Sequence, residues 1–263
     1  MGFLAGFLRS AKALAERSAF VAAALLLVAG VPVRGGASVT DRTSRVVPIS
    51  VGTPIRIDAT IADVTITGSA RSDLRVDVER RAPAHDDLAR LPVTIETTAD
   101  GVHVAVVQER DARSPDLKAV ISIAAPADAV LQAVRVFEGA VRLTNLRSAC
   151  DVDVRRGAIE AQRLAGRIRL ESGLGGIDVR DSDLTPGGQM RLRVFNGPLR
   201  VRFARQPLNA RILAVTLNGA ISSEIPLTMK DRFGPRFGES TLGTGDPVLS
   251  ADVVKGDITL TVG

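Results

Sequence analysis

Gly157-Ala158-Ile159-Glu160-Ala161-Gln162-Arg163-Leu164-Ala165-Gly166-Arg167-Ile168-Arg169-Leu170-Glu171-Ser172-Gly173-Leu174-Gly175-Gly176-Ile177-Asp178-Val179 repeats one short phrase. A glycine is followed two residues later by Ile159, Ile168 or Ile177, and two after that by Ala161, Leu170 or Val179. Glu160, Arg169 and Asp178 stand between the apolar pairs. Upstream the phrase continues: Gly139 precedes Val141 and Leu143, and Ser148 fills a glycine slot ahead of Cys150 and Val152. Alternation with period two marks a strand, and a glycine every nine residues restarts it in the same phase. Unbroken alternation over an odd spacing would put equivalent residues on opposite faces, so a corner must intervene each time. The chain therefore reads as all-β: nine-residue Gly-x-Ile/Val-x-Val/Leu units stacked as a β-solenoid with coils of about 18 residues. An up-and-down meander with Asn-Gly hairpins is the other arrangement with this period.

Downstream the unit persists with looser spacing, at Asn196-Gly197-Pro198-Leu199-Arg200-Val201, Asn218-Gly219-Ala220-Ile221 and Lys255-Gly256-Asp257-Ile258-Thr259-Leu260. Pro226 to Pro247, with glycines at 234, 238, 243 and 245, is a long irregular excursion. Such loops are usually functional or mobile. Upstream, strands are expected at Thr53–Ile57, Ala62–Gly68, Leu74–Arg80, Val120–Ala124 and Val130–Phe137. Val93–Thr98 and Val102–Val107 flank Asp100-Gly101, a hairpin signal. That hairpin predicts an antiparallel cap at the N-terminal side of the solenoid. No segment after Ala37 keeps an apolar period of 3.6, so almost no helix is expected there.

The N-terminus has the layout of a signal peptide. Arg9, Lys12 and Arg17 precede an apolar stretch from Ala19 to Val33, and Gly35-Gly36-Ala37 supplies small residues before Ser38. The domains expected are a signal helix over 1–37, a lead-in over 38–53 and the repeat domain over 54–263. The alternative is an uncleaved anchor over 19–33, though that stretch is short of the roughly 18–20 residues of a spanning helix. Either way the remainder is exported, to the periplasm or the cell surface. The formal charge is +5, of which Arg9, Lys12, Arg17 and Arg34 against Glu16 carry +3, leaving +2 beyond Ala37. With no Trp, no Tyr and eight Phe, the chain lacks the stacking residues of a nucleic-acid binder. The core must be aliphatic. Cys150 is the only cysteine, which excludes an intramolecular disulfide, and it takes the inward slot of Val141, Ile159, Ile168 and Ile177.

These Gly-x-Ile/Val-x-Val/Leu units, with the closing run Phe233-Gly234-Pro235-Arg236-Phe237-Gly238-Glu239, Leu242-Gly243-Thr244-Gly245 and Lys255-Gly256-Asp257-Ile258-Thr259-Leu260, resemble bacterial domain-of-unknown-function family 4097. The likeness covers roughly residues 54–263. It implies an adhesin-like β-solenoid of the cell envelope and brings no catalytic residues. Ser148, Lys255 and Pro198 depart from the family's usual Gly, Asn and Asp.

No nucleophile-and-base pair is evident. His103 alternates with Val102, Val104 and Val106 on the polar face of its strand, His85 sits in a polar loop, and there is no Gly-x-Ser-x-Gly elbow. One Cys and two His cannot close a structural zinc site, and no cofactor motif is present. Asp178, Asp181 and Asp183 offer the one alternative, paired carboxylates of a carbohydrate-active β-helix enzyme. The surface signal is charge segregation. From Leu184 to Ser223 there is no acid but there are six arginines, and Arg191, Arg193, Arg200 and Arg202 alternate with apolar residues, which turns them outward. Arginine forks suit phosphate and carboxylate groups, as on an anionic lipid or glycan surface. The expected function is a non-enzymatic binding or scaffolding surface on the cell envelope, with these four as anion ligands.

Overall fold

The computed structural model describes residues 38–108, 116–230 and 234–263. The expected signal helix over 1–37 lies outside the described residues. Those residues form twenty strands, and their only helical segment is a 3-10 turn, Asp86–Arg90. The strands make two ladders. Ladder A runs β1 (Val39–Pro48), β3 (Asp73–Ala82), β6 (Lys118–Pro126), β2 (Pro54–Ser69), β8 (Val141–Thr144), β10 (Ile159–Gln162), β12 (Ile177–Ser182), β14 (Leu199–Phe203), β20 (Ile258–Val262) and β16 (Ile221–Ser223). Ladder B runs β4 (Val93–Thr98), β5 (Gly101–Val106), β2 again, β7 (Val130–Glu138), β9 (Cys150–Arg156), β11 (Arg167–Leu174), β13 (Gln189–Asn196), β19 (Val248–Lys255), β15 (Ala210–Asn218), β18 (Arg236–Leu242) and β17 (Thr228–Lys230).

Through the repeats every pairing is parallel, and the register follows the glycine period. Ile159 pairs with Val141 on one side and Ile177 on the other, in ladder A. Ile168 pairs with Cys150 and Met190, in ladder B. Successive nine-residue units thus alternate between ladders, and the circuit returns 18 residues on up to β12, as the Arg142–Glu160 and Arg169–Asp151 contacts show, and 22 residues on from β11 to β13 and from β12 to β14. Parallel pairing over this distance excludes the hairpin meander.

The corners explain the glycines. Gly139, Gly157, Gly175, Gly197 and Gly256 all have φ between +137° and +148°, where L side chains are strained. They also stack: a Cβ on Gly157 would lie 1.9 Å from the Gly139 carbonyl oxygen, and one on Gly197 would lie 1.7 Å from that of Gly175. Backbone bonds run through the corner, from the Gly157 N–H to Leu174 O at 2.7 Å and from the Ile159 N–H to Gly176 O at 2.9 Å. Asp63 and Asp257 occupy the same step of their units. Each accepts the N–H of the corner residue in the adjacent circuit, Ala140 at 3.0 Å and Ala220 at 2.8 Å.

The inward residues of both ladders form one core of Val, Ile, Leu and Ala, in which Phe203 is the buried aromatic. Cys150 is buried among them, 3 % exposed. Burial pushes its thiol up to about 12, with a smaller contribution from Asp151. Buried Ser172 and Thr216 donate to the corner carbonyls of Gly157 and Gly256 at 3.0 and 2.9 Å.

Both ends depart from chain order. β2 lies between β6 and β8 in ladder A and between β5 and β7 in ladder B. β19 and β20 lie between β13 and β15 and between β14 and β16. The expected hairpin joins β4 to β5, with Gly101 as the first residue of β5. It pairs antiparallel at one end of ladder B, while β1 and β3 do so in ladder A.

Candidate functional site

Alternation turns Arg191 and Arg193 out of β13, while Met190, Leu192 and Val194 are buried. It likewise turns Arg200 and Arg202 out of β14, with Leu199, Val201 and Phe203 buried. The four arginines therefore divide into two pairs, on the outward faces of different ladders.

The surroundings of the pairs differ. In ladder A, Arg202 donates to Asp181 at 2.9 Å, and Arg200 lies in register with Asp178. Asp178 is itself engaged by the guanidinium of Arg180, Nε lying 3.1 Å from Oδ1. In ladder B, Arg191 has Arg169 and Ser250 as register neighbours, and Arg193 has Glu171 and Asp252. Both acids beside Arg193 are already engaged. Glu171 accepts from Arg169 at 3.0 Å, and Asp252 accepts from Ser250 Oγ at 2.9 Å. Arg169 also donates to both Asp151 oxygens at 3.1 Å, which holds its guanidinium above the ordinary pKa. Arg191 and Arg193 make no ion pair or side-chain hydrogen bond among the described residues. With Arg169, Leu170 and Glu171 they line a depression of about 180 Å³. Strand spacing of about 4.8 Å brings the Arg169 and Arg191 stems side by side, with the Arg169 guanidinium held by Asp151 and Glu171 and that of Arg191 left to face the depression.

Comparison with known proteins gives chain-path likenesses only. A "putative cell adhesion protein" from Clostridium sporogenes is similar over 85% of this chain and 100% of its own, at 9% identity and a TM-score of 0.49. A "putative adhesin" from Bacteroides fragilis covers 85% of this chain and 97% of its own, at 13% identity and a TM-score of 0.41. A "putative adhesin" from Parabacteroides merdae covers 83% and 80%, at 11% identity and a TM-score of 0.38. No protein-family model and no curated protein matches the sequence.

The three aspartates of the enzymatic alternative do not share a groove. Asp178 faces out of β12 beside Arg180, Asp181 sits at φ +49° where the β12–β14 register shifts, and the Asp183 N–H donates to Leu164 O just past the strand. Gln162 and then Arg202 hold the Asp181 carboxyl below its ordinary value, the reverse of what a general acid needs. His103 is not simply solvated: its Nε2 lies 2.8 Å from Asp58 Oδ2. The pair borders a concavity of about 520 Å³ with Arg56, Gln132 and Arg135, formed where Gln132 bulges out of the β7–β2 register. Its lining includes Thr98 but no Ser or Cys nucleophile. The Asp58 partnership had no sequence signal, because strand alternation gives the face of His103 and not the neighbouring strand.

Proposed function

We propose that this chain is an exported, non-enzymatic β-solenoid of the cell envelope that docks anionic groups through Arg191 and Arg193. The observation that carries the reading is that two outward arginines without an ion pair among the described residues stand in a shared depression, with Glu171 paired to Arg169 and Asp252 bonded to Ser250. Several other outward guanidiniums of the repeat are tied to acids, as in Arg142–Glu160, Arg180–Asp178 and Arg202–Asp181. A guanidinium without an internal partner keeps its donors for phosphate or carboxylate groups of lipid or glycan. The three-part layout of residues 1–37 supports export, and the resemblance to family 4097 points to the envelope.

Titration of the full chain with inositol hexakisphosphate at low salt tests the site. Binding should weaken steadily toward about 0.5 M salt. Arg191→Gln with Arg193→Gln should abolish it, and Arg200→Gln with Arg202→Gln should leave it nearly unchanged. No binding by the wild type, or equal binding by the first double variant, refutes the assignment. Export is tested separately: protein recovered from the native envelope should begin near Ser38, and an intact Met1 in the cytosol refutes it.

A further inference from the structure

Phe195 shares the outward face of β13 with Arg191 and Arg193, and it is 60 % exposed. Asn196, Lys255 and Asn218 are register partners, so Phe195, Val254 and Leu217 stand in one row across β13, β19 and β15. Leu217 is 50 % exposed, and Leu174 at the end of β11, beside Asn196, is 47 % exposed. The row continues down β15 through half-buried Val215, which faces Phe237 of β18. Across β9 and β11 the same outward face is charged, with Asp151, Asp153, Arg155, Arg169 and Glu171. Single exposed apolar side chains are ordinary, but a contiguous group marks a contact surface. Around this one stand Arg191, Arg193 and Lys255, with Arg211 farther down β15; of the acids on the same face, Asp252 accepts from Ser250 Oγ at 2.9 Å and Glu239 is tied to Lys230 at 2.8 Å.

We propose that the Phe195–Val254–Leu217 row seats in the surface of an anionic lipid bilayer, with Arg191 and Arg193 on the headgroup phosphates. This rests on the arginine site above and names its source of phosphate as lipid. A free polyanion or glycan would engage the arginines but leave the apolar row in water. A second copy would set two predominantly cationic rims, with Asp252 as the acid beside Arg193 on each, against each other across a two-fold axis. A bilayer satisfies both halves, because interfacial binding adds buried apolar area to attraction for anionic headgroups.

The chain has no Trp and no Tyr, so Phe195→Trp introduces its only indole. The full chain carrying that change is titrated with vesicles of phosphatidylglycerol and phosphatidylcholine, and with phosphatidylcholine alone. Emission should shift to the blue, and brominated acyl chains should quench it, on the anionic vesicles only. Adding Arg191→Gln and Arg193→Gln should remove the shift, and Leu217→Ser should weaken it roughly tenfold. Leu217→Trp supplies an independent reading from the same row. Inositol hexakisphosphate should bind without shifting the emission. Unshifted emission on anionic vesicles, with inositol hexakisphosphate still bound, overturns the lipid proposal and leaves the arginine site standing. Loss of both overturns both. A vesicle-independent shift that grows with protein concentration assigns the row to a second copy and overturns the proposal.

Discussion

Gly157 shows how tightly one position is specified. Its φ of +148° strains any L side chain, and a Cβ there would lie 1.9 Å from the Gly139 oxygen, which leaves no room for one. Gly157→Ala should therefore cost roughly 3 kcal/mol or more in urea titration. Gly187, at φ +69° with open space around it, isolates the backbone part. There alanine should cost about 1 kcal/mol. Equal losses at the two positions would show that corner stacking is not what selects glycine. Cys150 gives a second residue-scale expectation. With its thiol pushed up to about 12, the native protein should not react with a disulfide reagent at pH 8 and should react fully once unfolded. Reaction before unfolding would mean the slot is not closed. The inward assignment of Cys150 was readable from its place among Val141, Ile159, Ile168 and Ile177.

At the scale of elements, β11 separates the two faces of a strand. Ile168 is 2 % exposed inside, and Arg169 faces water between Asp151 and Glu171. Ile168→Asp leaves a carboxylate in the core without a partner and should cost roughly 4 kcal/mol. Arg169→Gln removes exposed ion pairs and should stay within about 1 kcal/mol. Denaturant midpoints check both, and similar shifts would overturn the face assignment. The same alternation carried an unread signal, since Arg191, Arg193 and Phe195 share one phase of β13. What alternation could not say is that Val254 and Leu217 extend Phe195 into a row, because that depends on which strands are neighbours.

For the whole molecule, acid stability follows from the outward carboxylates. Burial works to raise the carboxyls of Asp63 and Asp77, but their hydrogen bonds and cations outweigh it. For Asp63 these come from the Ala140 N–H and Lys118, and for Asp77 from Arg75 and Ser44. Arg81 and Arg42 hold Glu79 low as well. A carboxyl lowered by folding stabilises the fold above its unfolded pKa, and that contribution is lost as pH falls through the folded value. Thermal stability should thus be flat from pH 7 to about 5 and decline below about 4.5, where unfolded Asp and Glu begin to protonate. A melting temperature that rises between pH 5 and 3 would contradict these pairings.

The strand unit, its inward face and its glycine corner were determined by the sequence alone, because each depends on residues within a few positions of one another. Ile159 faces in and Glu160 faces out whatever lies beside them. The order of the units was decided only in the tertiary structure. Every Gly-x-Ile-x-Leu edge offers the same backbone donors and acceptors, so local chemistry does not distinguish one neighbour from another. That is why β19 and β20, last in the chain, stack inside β15 and β16, and why β2 joins both ladders between later strands. It is also why the four outward arginines, close together in sequence, end as two pairs on different ladders, with Arg202 bound to Asp181 on one and the β13 pair left open on the other.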